Sequence, residues 1–238
     1  GWSDKPTNPG WDVHRIARAW DDLMGRLGYD RYIAQGGDWG AMVTTSLGQQ
    51  RPERCLGIHL NMAIAMPTAD DMGDLTEREQ QALADLGEHS DWGMGYSSQQ
   101  STRPQTLGYG LTDSPAGQLA WIVEKFHAWT DCKGHPENAL GRDHMLDNVM
   151  AYWLPATGAS SARLYWESFR NPNTDPVPLP SGISVFPREI IRTSRRWAER
   201  RFTDIRWFND LDAGGHFAAF EQPATFVDEV RGFFRLLR

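Results

Sequence analysis

An aspartate, a glutamate and a histidine occur along the chain in an order that suits covalent hydrolysis. Asp38 lies between glycines, Glu189 follows Pro187, and His216 follows two further glycines. An aspartate is ionised at neutral pH and can attack an electrophilic carbon without help from a base. The histidine is then free to activate water in a second step, with its ring oriented by the glutamate.

Asp38 is the central residue of Gly36-Gly37-Asp38-Trp39-Gly40, which follows a short apolar run and precedes a helical pattern. This is the nucleophile-elbow pattern with aspartate in the position of the usual serine. The flanking glycines permit a sharp turn and close packing of strand and helix. The N-terminus of the helix then stabilises the carboxylate. Taken alone, the five residues fit a glycine-rich turn with an aspartate helix cap equally well.

The other two residues favour the elbow interpretation. His216 lies in Gly214-Gly215-His216-Phe217 after the last predicted strand, and Glu189 directly follows the strand before it. The order nucleophile, acid, histidine is that of enzymes with this elbow. Asn61, after the strand that follows the elbow, is a second position where an acid could lie, but an amide cannot act as one. Glu189 is therefore the better candidate, although a glutamate near a helix N-terminus is common.

Strands and helices alternate around these residues. Helical spacing of apolar residues predicts a helix over 12–27, ended by Gly28. Short apolar runs predict parallel strands over 31–35 and 55–61, with a helix over 41–50 between them. Further elements are predicted after the middle of the chain: strands over 183–186 and 204–208, and helices over 188–200, from 217 onward, and over 224–237. The alternation predicts an α/β fold with a mostly parallel sheet.

The middle of the chain has a different pattern and contains no convincing strand. Helices are predicted over 76–86, 114–129, 143–153 and 159–169, with Ser114 as a cap and Pro115 as the first helical residue. Residues 87–110 predict loops, and the proline-rich segment 171–180 predicts a linker. The predicted domains are an α/β core over 1–67 and 182–238, and an all-helical lid over 68–181.

Composition excludes several classes of function. The net charge is −7, without the clustered Lys and Arg that nucleic-acid binding requires. No run of eighteen apolar residues predicts a membrane span, and the opening residues from Gly1 read as a loop with no signal peptide. The two cysteines, Cys55 and Cys132, match neither a disulfide framework nor a zinc site. We expect a cytoplasmic protein with no metal and no cofactor.

Five segments resemble those of microsomal-type epoxide hydrolases, a family with the α/β-hydrolase fold. They are Gly36-Gly37-Asp38-Trp39-Gly40, Leu60-Asn61-Met62, Gly110-Leu111-Thr112-Asp113-Ser114-Pro115, Glu124-Lys125-Phe126 and Gly214-Gly215-His216-Phe217-Ala218-Ala219-Phe220-Glu221. The likeness covers nearly the whole chain. It implies that Asp38 attacks an epoxide carbon to form an ester, and that His216, oriented by Glu189, activates the water that hydrolyses it.

The resemblance also implies roles in the lid. Tyr165 and Tyr96 match the two tyrosines that donate to the leaving ring oxygen, and Tyr109 is the alternative to Tyr96. The amide of Trp39 would be one donor of the oxyanion hole. The chain has 11 Trp, and aromatic side chains suit an apolar pocket. The residues predicted to bind a small apolar epoxide are Trp92, Tyr109, Trp153 and Phe217.

One family segment, His-Gly-x-Pro, does not occur among the 37 residues before Asp38. Loss of the oxyanion donor that it supplies would slow the reaction by roughly 100–1,000-fold. The same region should carry the first four strands of the sheet, without which the elbow strand is an exposed edge. We therefore expect that the chain does not act alone: either an N-terminal fragment is bound beside it, or the native protein is longer and this chain is a proteolysed or truncated piece. A homo-oligomer is a further form of association.

Two other functions are compatible with these residues. A haloalkane dehalogenase would use Asp38, Trp39 and His216 but would not need the lid tyrosines, and it would release halide without acting on epoxides. A catalytically impaired module would hold an apolar ligand under the lid, and replacement of Asp38 would then leave binding intact.

Overall fold

The strands of the structure form one parallel sheet. The computed structural model describes residues 2–170, 172 and 174–238. The strands are β1 (Tyr32–Gly36), β2 (Cys55–Leu60), β3 (Ser181–Val185) and β4 (Ile205–Asp210), and they lie side by side in this order. Nearly every residue of β2 and β3 is buried, as expected for inner strands of a parallel sheet. The predicted α/β fold is confirmed, and β1 is an edge of the described sheet.

The helices lie between and after these strands. In chain order they are α1 (Val13–Arg26), α2 (Asp38–Gln50), α3 (Glu77–Glu88), α4 (Gly95–Thr102), α5 (Pro104–Asp113), α6 (Pro115–Trp129), α7 (Arg142–Trp153), α8 (Gly158–Ser168), α9 (Arg195–Ala198), α10 (Ala218–Glu221) and α11 (Pro223–Arg235). Among the described residues, no helix combines the length and the apolar character needed to cross a bilayer.

The chain divides into two compact units. The α/β unit comprises 13–90 and 173–238, and the helical unit comprises 1–12 and 91–172. These bounds differ from the predicted lid over 68–181, because α3 packs with the sheet. Glu79 accepts hydrogen bonds from Arg196 at 2.6 and 2.7 Å, and Asp85 pairs with Arg192. The predicted linker includes positions 171 and 173, which lie outside the described residues, as does Gly1.

The core of the α/β unit lies on β2 and β3. Ile58, Leu60 and Ile183 are fully buried there together with Trp197 and Phe202. Burial of each such side chain contributes about 1.5–3 kcal/mol of folding free energy. This core fixes the sheet, whose carboxyl ends carry the candidate catalytic loops.

The helical unit contains the principal correction to the sequence analysis. Residues 87–110 were expected to be loops, but they form the end of α3, a π-helical turn over His89–Gly93, α4 and most of α5. Pro104 is the first residue of α5, where it favours a helix. A Cβ on Gly108 would lie 2.5 Å from the Cβ of Ala159 in α8, so this glycine permits close helix packing. Tertiary packing therefore overrides the weak local helix propensity.

The helix predicted over 188–200 is also wrong. Only α9 is helical there, and Arg188 instead forms a parallel bridge with Gly215. The side chain of Glu189 accepts a hydrogen bond from the amide of Ile190 at 2.8 Å, which turns the chain away from helical geometry. The hydroxyl of Thr193 donates to the carbonyl of Ala65. These contacts place Glu189 in a loop.

Candidate active site

The elbow at Asp38 is a sharp turn between β1 and α2. Asp38 has a φ of +49°, a conformation that disfavours residues with a Cβ and is held at some functional sites. A Cβ on Gly36 would lie 2.1 Å from the carbonyl oxygen of Gly40 and 2.5 Å from Oγ1 of Thr44, so only glycine fits there. A Cβ on Gly40 would meet no atom of the described chain within 4 Å. Position 36 therefore requires a glycine, whereas position 40 has room for a small side chain.

Asn61 supports the elbow from the neighbouring strand. Its backbone amide donates to the carbonyl of Gly36 at 3.3 Å, and its side-chain oxygen accepts from Gln35 at 2.9 Å. A Cβ on Gly37 would lie 2.6 Å from that same oxygen. Asn61 therefore packs directly against the turn that carries Asp38.

His216 lies between two carboxylates. Its Nε2 is 2.8 Å from Oδ2 of Asp38, and its Nδ1 is 2.6 Å from Oε1 of Glu189. His216 and Glu189 are 7% and 3% exposed, whereas the Asp38 side chain is 37% exposed. An ionised carboxylate can only accept a hydrogen bond, so each ring nitrogen donates and the ring carries a positive charge. The three residues selected from the sequence thus lie in contact.

Electrostatics support the same protonation state. Burial alone would lower the pKa of His216, but the charge of Glu189 and the hydrogen bonds to both carboxylates raise it to about 10. Burial alone would raise the pKa of Asp38, but the hydrogen bond and charge of His216, with the amide of Trp39, lower it overall. Asp38 and His216 therefore form an ion pair.

The amide of Trp39 donates to Oδ1 of Asp38 at 2.5 Å. Oδ1 and Oδ2 therefore have different partners, the amide and the imidazole. An ester formed through Oδ2 would leave Oδ1 as its carbonyl oxygen, already in contact with a hydrogen-bond donor. This arrangement can stabilise a negative charge on Oδ1.

The loops that carry Glu189 and His216 are joined. The amide of Arg188 donates to the carbonyl of Gly214 at 3.1 Å, next to the bridge between Arg188 and Gly215. Gly214 has a φ of +104°, and a Cβ there would lie 2.9 Å from the ring of Phe186. Backbone contacts between the two loops therefore hold Glu189 and His216 close together, in addition to the hydrogen bond between their side chains.

Sequence reasoning did not assign a role to Glu221. Its carboxylate accepts hydrogen bonds from the amides of Gly215 and Phe217, which flank His216. The signal was present in the quoted segment Gly214-Gly215-His216-Phe217-Ala218-Ala219-Phe220-Glu221, where an acid follows the histidine at short range.

In the helical unit, Tyr96 of α4 and Tyr165 of α8 form an edge-to-face pair with ring centroids 5.8 Å apart. Tyr96 also packs on Trp129 at 5.1 Å. Nζ of Lys125 lies 4.3 Å from the centroid of the Tyr96 ring, and the Lys125 side chain is only 13% exposed. The structure thus brings the two tyrosines together beside a largely buried cation.

The residues expected to bind substrate have different environments. Trp92 is 88% exposed and Tyr109 is 68% exposed, while Trp153 is half-buried on α7. Phe217 is half-buried, and its ring packs edge-to-face on the ring of His216 at 5.1 Å. Of the four, Phe217 directly contacts the candidate catalytic triad.

Comparison with known proteins identifies the class and the family. A family model described as the alpha/beta hydrolase fold matches residues 1–88. A protein named "Putative epoxide hydrolase" from Stigmatella aurantiaca is 54% identical over all of this chain and 54% of its own length. "Epoxide hydrolase 1" of Sus scrofa is 32% identical over 100% of this chain and 58% of its own length. The crystal structure of juvenile hormone epoxide hydrolase from Bombyx mori superposes with a TM-score of 0.90, at 29% identity over 100% of this chain and 63% of that one.

The parallel sheet, the elbow at Asp38 and the histidine loop define an α/β-hydrolase fold. Within that fold, the chain belongs to the epoxide hydrolase family. It spans slightly more than half of the length of the two curated relatives.

Proposed function

We propose that the chain carries the catalytic groups of an epoxide hydrolase, which converts an epoxide and water into a vicinal diol through an ester on Asp38. The observation that carries this proposal is the contact of His216 with both Asp38 and Glu189. A histidine between two carboxylates suits a mechanism in which one carboxylate is consumed as a nucleophile and the other remains to orient the base.

In the first step, Oδ2 of Asp38 attacks an epoxide carbon, and the bond between that carbon and the ring oxygen breaks. The ring oxygen takes a proton from Tyr96 or Tyr165. The ammonium group of Lys125, which also pairs with Glu124 at 3.0 Å, lies 4.3 Å from the centre of the Tyr96 ring. Its positive charge favours Tyr96, because it stabilises negative charge that develops on the ring and its oxygen. The product of the step is a neutral ester.

In the second step, His216 acts as a base. Once Asp38 is a neutral ester, one of the two anionic partners that raise the pKa of His216 is gone and only Glu189 remains, so that pKa falls. The ring then releases its proton, and solvent returns a proton to the tyrosine. Neutral Nε2 then takes a proton from water, and the resulting hydroxide attacks the ester carbonyl carbon. The attack places a negative charge on Oδ1, and the amide of Trp39 stabilises this charge by donating a hydrogen bond to Oδ1. The bond between Cγ and Oδ2 then breaks, so Oδ2 leaves with the product as an alkoxide. The new carboxylic acid gives this alkoxide its proton, which releases the diol and restores an Asp38 carboxylate with one oxygen from water beside protonated His216.

An epoxide suits the tyrosine pair better than a haloalkane does. A departing halide is stable as an anion, whereas a ring oxygen that leaves as an alkoxide needs a proton. The paired hydroxyl-bearing rings of Tyr96 and Tyr165 are the feature that a dehalogenase would not require. The apolar ring of Phe217, which packs edge-to-face on the ring of His216, favours an apolar epoxide as the substrate class.

We also propose that a further segment of the same protein pairs with the open edge of β1. In the described sheet, β1 pairs with β2 only, and α1 leaves Trp20 and Leu27 50% and 61% exposed. An open edge of this kind is prone to association. Light scattering and denaturation of the 238-residue chain test the proposal, since a cooperatively folded, active monomer would contradict it.

The mechanism is tested by the mass of a trapped ester. The H216A variant should form the ester with an aryl epoxide such as styrene oxide but should hydrolyse it slowly, so its intact mass rises by one substrate. The double variant D38N/H216A is the control and should gain no mass. A mass gain in both variants would exclude Asp38 as the nucleophile. No gain in H216A would contradict the proposed first step.

A further inference from the structure

We propose that Glu221 is a positioning residue that holds His216 for the water-activating step. The inference rests on the proposed function. Oε2 of Glu221 accepts from the amide of Gly215 at 3.0 Å, and Oε1 accepts from the amide of Phe217 at 3.1 Å. The carboxylate thus binds the backbone on both sides of the histidine and fixes the segment from which the ring projects.

Glu221 lies at the junction of two helices. Glu221 is the last residue of α10, and α11 begins two residues later at Pro223. On the opposite side, the histidine segment is tied to the acid loop by the hydrogen bond from Arg188 to Gly214. His216 is therefore held between the acid loop and the turn from α10 to α11. A shift of either support moves the ring relative to Asp38.

A helix cap explains only half of this geometry. Phe217 precedes the first residue of α10, so a bond from its amide to Glu221 is the kind of contact that stabilises a helix N-terminus. The amide of Gly215 lies outside the helix, on the other side of His216. Its bond to the same carboxylate has no role in capping α10, but it does restrain the catalytic segment.

The two chemical steps should depend on Glu221 to different extents. Before the reaction, the ion pair between Asp38 and His216 holds the ring in place. After ester formation, that ion pair no longer exists, and the position of the ring depends on Glu189 and on the backbone that Glu221 fixes. Loss of Glu221 should therefore slow ester hydrolysis more than ester formation.

The test is a single-turnover measurement of both steps with styrene oxide, by rapid quench and intact mass. In E221A, ester hydrolysis should slow by roughly 100-fold, the effect of displacing a catalytic group by about 1 Å. Ester formation should change much less, so the alkylated enzyme accumulates. E221Q keeps one acceptor oxygen, so its rate of ester hydrolysis should lie between those of E221A and the wild type. E221Q also replaces E221A as the test variant if E221A does not fold.

E229Q is the matched control, because it changes another glutamate of the α/β unit with several hydrogen bonds. Glu229 accepts from Ser184 at 2.6 Å and from the Trp207 indole at 2.8 Å. E229Q should lower the denaturation midpoint while leaving the ratio of the two rate constants unchanged. Equal slowing of both steps in E221A and E221Q, or an equal change of the ratio in E229Q, would overturn the proposal for Glu221. If H216A forms no ester under the same conditions, the proposed function fails, and the role of Glu221 fails with it.

Discussion

Oδ2 of Asp38 lies 2.8 Å from Nε2 of His216, so the proposed nucleophile and the proposed base form an ion pair. Each group stabilises the charged form of the other, and Glu189 supports the imidazolium from the opposite side. In the proposed mechanism, this pair keeps Asp38 ionised for the first step. It also keeps His216 protonated until Asp38 has been consumed, which would give the two steps an order.

This ion pair predicts a loss of stability at alkaline pH. The pKa of His216 is raised from 6.5 to about 10, so the folded chain binds a proton that the unfolded chain releases between these values. The stabilisation is complete below pH 6.5 and should decrease as pH rises toward 10, by up to about 1.4 kcal/mol per pH unit. Urea denaturation between pH 7 and 9.5 measures the slope. H216Q should remove most of it, and an unchanged slope in H216Q would show that other groups are responsible.

The two glycines of the elbow predict opposite outcomes. G36A places a Cβ 2.1 Å from the Gly40 carbonyl oxygen and should destabilise the chain by about 1–3 kcal/mol or more. G40A adds a Cβ to a position on α2 with no atom within 4 Å, where alanine favours a helix by about 1 kcal/mol. The midpoints of urea denaturation of both variants test this prediction. Equal destabilisation would mean that the motif acts through flexibility and not through steric fit.

The sequence predicted the strands and the helix next to Asp38 better than it predicted the helices of the helical unit. The order of β1, α2 and β2 could be derived from apolar runs and flanking glycines, which act locally. The contact of His216 with Asp38 and Glu189 agrees with the residues selected from the sequence. The helices α4 and α5 could not, because their stability comes from contacts such as that of Gly108 with Ala159, which lie far apart in the chain. The contacts of Glu221 also required coordinates, since an acid at short range after a histidine does not indicate which backbone amides its carboxylate binds.

Removal of the charge of Glu189 should uncouple the two chemical steps. E189Q keeps the shape of the side chain but stabilises the imidazolium less and can reverse the orientation of the ring. Ester hydrolysis should slow by up to about 10⁴-fold, as for an acid that fixes the tautomer of a catalytic histidine. Ester formation should persist because Asp38 remains ionised. E199Q, which changes an exposed glutamate that pairs with Arg195, is the control and should behave as the wild type.

The proposed role of the tyrosine pair predicts that the first step depends on single hydroxyl groups. Y96F and Y165F should each slow ester formation, because the departing ring oxygen loses one of its donors, and the double variant should approach the full contribution of general acid catalysis, about 10²–10⁴-fold. Y109F tests the alternative donor; its ring is 68% exposed, and the rate of ester formation should change little. Rapid-quench measurement of the alkylated enzyme reports this step directly. A large effect in Y109F with none in Y96F would transfer the role of proton donor from α4 to α5.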